Sequence, residues 1–233
     1  MRIDRYLANA GVGTRREVHR YIMDKRVMVN GNTIKSISLN INPIIDRVSF
    51  DEEPVIYKEF RYFLINKPVG YMSSTIEERY PPVTSLIPQA DVFRLFPVGR
   101  LDVDTTGTLL LTNNGKLAHS LLNPRFHVEK VYDAVVDRPL STKLIDDFQK
   151  GLNINDEYVT SPAGLEIIDD YHARVSIHEG KYHQIKRMFI ACGYNVISLN
   201  RSQFAFLDCT GLKEGEYREL NPEEVNKLLL FLR

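Results

Sequence analysis

The densest concentration of reactive side chains in this 233-residue sequence is Gly99-Arg100-Leu101-Asp102-Val103-Asp104-Thr105-Thr106-Gly107. Two carboxylates, a guanidinium and two hydroxyls lie between glycines, and the apolar run Leu109-Leu110-Leu111 follows at once. A short apolar run of this kind reads as a buried strand. A polar, sharply turned segment at its mouth is a place where a rigid scaffold can present a reactive group. A carboxylate there can act as nucleophile or base. The plainer alternative is a loop whose aspartates only cap turns.

A second stretch carries the opposite charge. In Glu179-Gly180-Lys181-Tyr182-His183-Gln184-Ile185-Lys186-Arg187-Met188-Phe189, residues Ile185, Met188, Phe189 and Cys192 fall on one helical stripe, and Gly193 ends it. Lys186 and Arg187 sit early in that helix, where cations oppose the macrodipole. Their placement points to an anion they meet, against the alternative of a solvated basic face.

Several elements must hold these groups. Ile3, Tyr6, Leu7 and Ala10 recur at helical spacing before Gly11. Thr14 and Glu17 form a capping box for a second helix that turns Val18, Tyr21 and Ile22 inward. Val27 to Val29 with Asn30-Gly31 predicts a hairpin. Phe60 to Ile65 is predicted as a strand, Gly115 to Leu122 as a helix, and Tyr71 to Pro82 as a surface loop. Glu129 to Val136 alternates, with Tyr132 pointing away from the apolar row of Val131 and Val135. Ser141 is expected to cap a helix bearing Leu144, Ile145 and Phe148, and Val196 to Leu199 to form a strand. Asn221-Pro222 with Glu224 starts a C-terminal helix.

Composition narrows the class. A chain that is 43% hydrophobic and 26% charged can build a soluble core. No run approaches the ~20 apolar residues that span a bilayer, so no membrane partner is expected. The charged start Met1-Arg2-Ile3-Asp4-Arg5 lacks a signal-peptide core. Cys192 and Cys209 have no metal-type spacing and suit a reducing cytoplasm. The six histidines show no paired ligand spacing, so no metal is expected.

Net charge is zero, but it is unevenly spread. Residues 1–50 carry nine basic side chains (Arg2, Arg5, Arg15, Arg16, Arg20, Lys25, Arg26, Lys35, Arg47) against four acids, or +5, which leaves −5 for the rest. A basic module joined to a more acidic body points to nucleic acid.

The basic segment resembles the alpha-L RNA-binding domain of ribosomal protein four of the small subunit, through Arg2-Ile3-Asp4-Arg5-Tyr6-Leu7, Thr14-Arg15-Arg16-Glu17 and Val27-Met28-Val29-Asn30-Gly31. The resemblance makes Arg2, Arg5, Arg15, Arg16, Arg20, Lys25 and Arg26 the expected RNA contacts. Asn66-Lys67-Pro68, the Gly99–Gly107 motif, Glu129-Lys130-Val131-Tyr132 and the Glu179–Met188 stretch together resemble the pseudouridine synthases of the RsuA-like family. That likeness covers essentially the whole chain. It implies an α+β protein: a small N-terminal α/β RNA-binding domain (1–50), a linker (51–59) read from the acidic, Pro-containing stretch Asp51-Glu52-Glu53-Pro54, and a catalytic domain (60–233) with a mixed, mainly antiparallel sheet flanked by helices, which the hairpin-like strand pairs also predict.

The family's reaction flips a uridine, breaks its glycosidic bond and rejoins the base through carbon 5, without a cofactor. The resemblance makes Asp102 the catalytic carboxylate, Lys186 its basic partner with Arg187 as the alternative, and Tyr132 the residue that stacks on the base. It further implies substrate contacts from Arg100, which fills the gap left by the flipped base, from Leu199 under the base, and from Lys67, which supports the loop or a phosphate. Tyr71-Met72-Ser73-Ser74-Thr75 and His183-Gln184 lean towards an enzyme of small-subunit (16S) ribosomal RNA, with large-subunit RNA as the alternative. A cytoplasmic monomer is expected.

Two other classes compete. Asp102-Val103-Asp104-Thr105-Thr106 fits the Asp-x-Asp-x-Thr of haloacid-dehalogenase-type phosphatases, with Asp169-Asp170 as magnesium ligands, although that fold needs an apolar strand directly before the first Asp. A non-catalytic assembly factor would use both domains only to hold RNA, and the intact set Asp102, Tyr132 and Lys186 argues against it.

Overall fold

The computed structural model describes residues 1–155 and 158–232. The chain divides into two compact units, Met1–Arg61 with Ile87–Leu95, and Tyr62–Leu86 with Phe96–Arg233.

The first unit opens with α1 (Ile3–Asn9) and α2 (Arg15–Met23). The Thr14 hydroxyl accepts from the Glu17 N–H and the Glu17 carboxylate accepts from the Thr14 N–H, so the capping box forms as the sequence predicts. Strands β1 (Val27–Val29), β2 (Asn32–Thr33), β3 (Val48–Phe50) and β4 (Glu53–Pro54) make a small sheet in the order β2-β1-β3-β4. Asn30 and Gly31, at φ 52° and 80°, turn β1 into β2. Ile3, Leu7, Val18, Ile22 and Val27 are fully buried between helices and sheet.

The expected linker 51–59 needs correcting. Asp51 and Glu52 turn β3 into β4 with φ of 49° and 69°. The Tyr6 hydroxyl then donates to the Val55 carbonyl at 2.9 Å, and Tyr57 stacks on Tyr6 at 5.0 Å. The acidic stretch therefore completes the sheet. The short helix α3 (Ala90–Phe93), expected in the larger domain, also counts with the first unit. A side chain at Gly11 would meet the Phe93 ring at 2.6 Å, so glycine is what lets Phe93 lie there.

The second unit is built on β5 (Tyr62–Lys67), β6 (Phe96–Pro97), β7 (Thr105–Thr112), α4 (Gly115–Leu122), β8 (Lys130–Val136), α5 (Lys143–Lys150), β9 (Asn153–Asn155), β10 (Tyr158–Val159), β11 (Gly164–Ile167), β12 (His172–Ile177), α6 (Gln184–Ala191), β13 (Val196–Phe204), β14 (Leu207–Asp208), β15 (Tyr217–Glu219) and α7 (Pro222–Leu229). Its sheet runs β11-β12-β8-β13-β7-β5-β15, with β6 beside β7 and β14 beside β13. Among the described strands of this sheet, β7 and β13 pair in parallel and the other pairs are antiparallel. The sheet is thus mixed and mainly antiparallel, as the resemblance implied.

The apolar run after the Asp102 motif is the buried centre of β7, with Leu109, Leu110 and Leu111 all at 0% exposure. Two local expectations shift. In β8 the covered row is Lys130, Tyr132, Ala134 and Val136, so Tyr132 faces the packed side of the sheet. The Lys130 ammonium is accommodated there by donating to the Val128 carbonyl at 2.9 Å. Helix α5 begins at Lys143 after Thr142, with no side-chain cap bond on Thr142, and Ser141 only accepts from the Lys143 N–H at 3.3 Å.

Candidate active site

The Asp102 loop joins β6 to β7, and its main chain is pinned from below. Lys67 ends β5 and is fully buried. Its Nζ donates to the carbonyls of Thr105 (2.8 Å), Pro68 (3.0 Å) and Asp102 (3.0 Å), with Val103 further off at 3.4 Å. An ammonium has three hydrogens, and three short acceptors use them. Burial pushes Lys67 down to about 8, opposed by the nearby Asp102 and Asp104 carboxylates. Ser73 adds a two-way clamp on Leu101: its hydroxyl donates to the carbonyl and accepts from the N–H, both at 2.9 Å. The Gly70 N–H donates to Val103 O at 2.8 Å. With the backbone so occupied, the loop's carboxylates are left for other work.

They meet Lys186. Its Nζ lies 2.9 Å from Asp102 Oδ2 and 2.6 Å from Asp104 Oδ1. Asp102 is 25% exposed and Asp104 73%, so Asp102 is the inward member. Burial works against the charge on Lys186, but hydrogen bonds to Asp104 and Asp102 outweigh it and raise its pKa. Burial likewise raises Asp104, and the Lys186 contact more than reverses this, leaving the carboxyl below its ordinary value. His183 Nε2 stands 3.4 Å from Asp102 Oδ1.

The start of α6 is what aims Lys186. His183 takes φ 49°, and Gln184 accepts from the Lys181 N–H at 2.9 Å while donating to Glu179 at 2.6 Å. Buried Glu179 also accepts from the Ser161 N–H at 3.0 Å and from the Tyr158 hydroxyl. Polar residues that look like surface in the sequence therefore form a closed network. Beneath it, Ile185, Met188 and Phe189 are buried, and Phe189 packs on Phe148 of α5 at 5.1 Å.

Sheet register brings in the remaining groups. Leu199 of β13 lies opposite Thr105 on one side and Ala134 on the other, and Arg201 lies between Gly107 and Tyr132. Directly opposed residues share a face. Tyr132 and Leu199, 8% and 5% exposed, thus belong to the covered face that begins at Thr105, three residues after Asp102. Gly107 is required there: at φ 105° a Cβ would lie 2.3 Å from the Arg201 carbonyl.

Other expected contacts fall differently. Lys67 is walled in by carbonyls and cannot reach a phosphate or substrate, so it supports the loop only. Arg187 donates to the Ile154 carbonyl at 2.7 Å, which leaves Lys186 as the partner of Asp102. Arg100 is exposed and lines a groove with Met72, Ser74, Ile76 and Leu122. In the first unit, Arg5, Arg15, Arg16, Arg20 and Lys25 are exposed and make no ion pair within 4 Å among the described residues. Arg2 is paired with Asp4 at 2.8 Å, and Arg26 is paired with Asp51 and lies over the rings of Tyr21 and Phe50.

Asp104 and His183 touch the Lys186–Asp102 pair and Arg201 lies on the neighbouring strand, and residue type alone singles out none of the three. Arg201 is 2% exposed and donates from Nε to Thr108 O at 2.8 Å, with its guanidinium 4.9 Å from the Phe204 ring. Between Asn200 and Ser202, Arg201 reads in the sequence as an ordinary surface cation. For His183 the signal was its place three residues before Lys186.

The phosphatase arrangement is not met. The long apolar strand follows Asp102 instead of leading into it, and Asp169 caps its own hairpin by accepting from the Tyr171 and His172 N–H groups. Among the described residues, no cluster of three His, Cys, Asp or Glu side chains could hold a metal ion, and no helix is long and apolar enough to cross a membrane.

The fold thus brings Asp102 against Lys186 on a fastened loop, beside the sheet face that covers Tyr132 and Leu199. Comparison with known proteins makes the class specific. Residues 61–191 match the family described as RNA pseudouridylate synthase and residues 1–43 match the S4 domain, and the chain belongs to the RNA pseudouridylate synthase family. It is 41% identical over 234 residues to an uncharacterised RNA pseudouridine synthase, YtzG, of Bacillus subtilis (strain 168), covering 98% of each chain. It is 36% identical over 228 residues to ribosomal small subunit pseudouridine synthase A of Escherichia coli (strain K12), covering 97% of this chain and 98% of that one. A crystal structure of a pseudouridylate synthase superimposes with a TM-score of 0.69 at 35% identity, covering 98% of this chain and 99% of that chain.

Proposed function

We propose that this protein converts a uridine of small-subunit ribosomal RNA to pseudouridine, acting as a cytoplasmic monomer with Asp102 as the catalytic carboxylate. The observation that carries the reading is the Asp102–Lys186 pair on a loop fastened by Lys67. The likeness to ribosomal small subunit pseudouridine synthase A of Escherichia coli supports the choice of RNA.

The reaction is an isomerisation, so atoms and electrons balance within the substrate and no redox partner is called for. The target nucleotide leaves its stack and its base lies on the covered face, where Tyr132 offers a flat apolar surface with a polar tip and Leu199 packs below. Asp102 then attacks carbon 6 of the base or the ribose anomeric carbon, or takes a ribose proton. Each route needs a charged, immobile carboxylate. Lys186 supplies the compensating charge and the pinned backbone supplies the immobility. Once the glycosidic bond breaks, the base turns and rejoins through carbon 5; any bond to Asp102 is released, the carbon 5 proton is taken by a base, and N1 gains a proton, so the product is an isomer of the substrate. Unpaired Arg5, Arg15, Arg16, Arg20 and Lys25 of the first unit suit RNA phosphates, and Arg100 suits the gap the base leaves.

The test is a pseudouridine map of ribosomal RNA from cells lacking the protein. One missing site in small-subunit RNA, restored by the wild-type chain and not by Asp102→Asn, is expected. A complete small-subunit map with a missing large-subunit site would move the substrate to the other RNA, and two complete maps would refute the reading.

A further inference from the structure

Tyr182 is 75% exposed, unusually open for an aromatic side chain beside a reactive centre. Its ring stacks on that of His183, with centroids 3.8 Å apart and planes inclined by 18°. His183 in turn stands 3.4 Å from the Asp102 carboxylate. One face of Tyr182 is thus covered and the other is open, at the rim of the site and a single ring away from Asp102. The position is set by the rigid start of α6, where Gln184 ties the Lys181 N–H to buried Glu179. Lys181 lies next to it, with Nζ 4.4 Å from the centre of the Tyr158 ring.

We infer that the Tyr182–His183 pair is a stacking shelf for the nucleobase adjacent to the flipped uridine. This rests on the reading of the protein as a pseudouridine synthase. Every nucleobase presents a flat face, and proteins that hold unpaired strands stack bases on exposed aromatic rings flanked by cations. Flipping a uridine strips its neighbour of a stacking partner. A ring presented beside the flipped position replaces what the neighbour loses and so favours the extruded state of the strand. The pre-formed stack on His183 limits the side-chain freedom that binding would otherwise remove. Lys181, the preceding residue, keeps a cation in the same segment, although its ammonium lies over the Tyr158 ring and not on the shelf.

The test uses small-subunit ribosomal RNA transcript, with pseudouridine formation followed for wild type, Tyr182→Ala and Tyr182→Phe. Tyr182→Ala should raise KM about 5- to 100-fold, the range that stacking of one base supplies, with the loss in KM and not in kcat. Tyr182→Phe should recover most of it, because the ring and not the hydroxyl does the stacking. RNAs lacking one base immediately before or after the modified uridine complete the cycle. Removing the stacked base should weaken the wild type and leave Tyr182→Ala unaffected. An unchanged KM in Tyr182→Ala, a Tyr182→Phe as impaired as Tyr182→Ala, or equal losses in both proteins on both base-deleted RNAs would overturn the shelf. If the wild type forms no pseudouridine in the transcript, the functional reading and the shelf fall together. Turnover with an indifferent Tyr182 overturns the shelf alone.

Discussion

Replacing Lys67 by methionine tests whether the Asp102 loop depends on one buried ammonium. Methionine keeps an unbranched stem of similar length and removes the three short bonds to Pro68, Asp102 and Thr105. Bonds to a charged donor contribute about 1.5–3 kcal/mol each, so the three amount to roughly 6 kcal/mol gross. Burying the ammonium takes back part of this, which is the same effect that pushes Lys67 down to about 8. A net loss of about 3 kcal/mol remains, the lower end of what breaking a buried charged contact costs. At about 2–4 °C per kcal/mol, the unfolding midpoint of the second unit should fall by roughly 6–12 °C. Activity should suffer more than stability. Three carbonyls left without a donor will shift the loop, and a displacement near 1 Å can cost about 100-fold in rate. The assay is tritium release from RNA labelled at carbon 5 of uridine, run under single-turnover conditions well below the lowered midpoint, beside a calorimetric scan. RNA affinity should largely hold, because the unpaired Arg5, Arg15, Arg16, Arg20 and Lys25 lie in the first unit. A variant with wild-type midpoint and rate would refute the argument that Lys67 fastens the loop.

Three further outcomes are expected. Asp102→Asn keeps shape and hydrogen bonding but loses its charge, so turnover should fall by at least several orders of magnitude; Asp104→Asn, at the exposed end of Lys186, should lose far less, and the reverse order would mean the wrong carboxylate has been assigned. Replacing Arg15, Arg16 and Arg20 together by alanine should weaken RNA binding and flatten its dependence on salt, since each phosphate contact releases counterions; an unchanged salt slope places RNA elsewhere. Burial, aided by the charge of Arg201, pushes Lys130 down to about 8, below the unfolded value of about 10.4. Between those limits the unfolded chain binds the extra proton, so the stability linked to Lys130 grows as pH rises. Denaturation of wild type and Lys130→Met at pH 7.5 and 10 should show the difference moving in favour of wild type, and a constant difference would contradict it.

Where local rules and packing agree, the sequence was a sufficient guide. The capping box of α2, the Asn30-Gly31 hairpin and the apolar stripe of α6 each depend on residues within a few positions of one another, and each forms. The partnership of Asp102 with Lys186 was legible through motifs spread along the chain. What escaped depends on approach between distant segments. Lys67 stands before a proline in what looks like an open turn, and only the return of the Asp102 loop encloses it. Asp104 shares Lys186 because of how the turn rotates, which residue type does not disclose. Ala90–Phe93 counts with the first unit, where Phe93 lies against Gly11 and a side chain at that position would block the ring.

The parallel pairing of β7 with β13 also bears on how the protein is made. Asp102 meets Lys186 across 84 residues of chain, and the hydroxyl of Thr106 reaches Asn200 across 94. Between them lie β8, α5, β11, β12 and α6, each needed to bring β13 back alongside β7. Contacts of such long sequence separation form slowly, because the loop they close must be ordered first. During synthesis the reactive loop is complete by Gly107, yet its counter-charge is still unmade and its neighbouring strand later still. A ribosome releasing this chain therefore exposes the basic residues 1–50 well before Lys186 emerges to meet Asp102. The two charges of the pair can meet only once most of the second unit's sheet has been made.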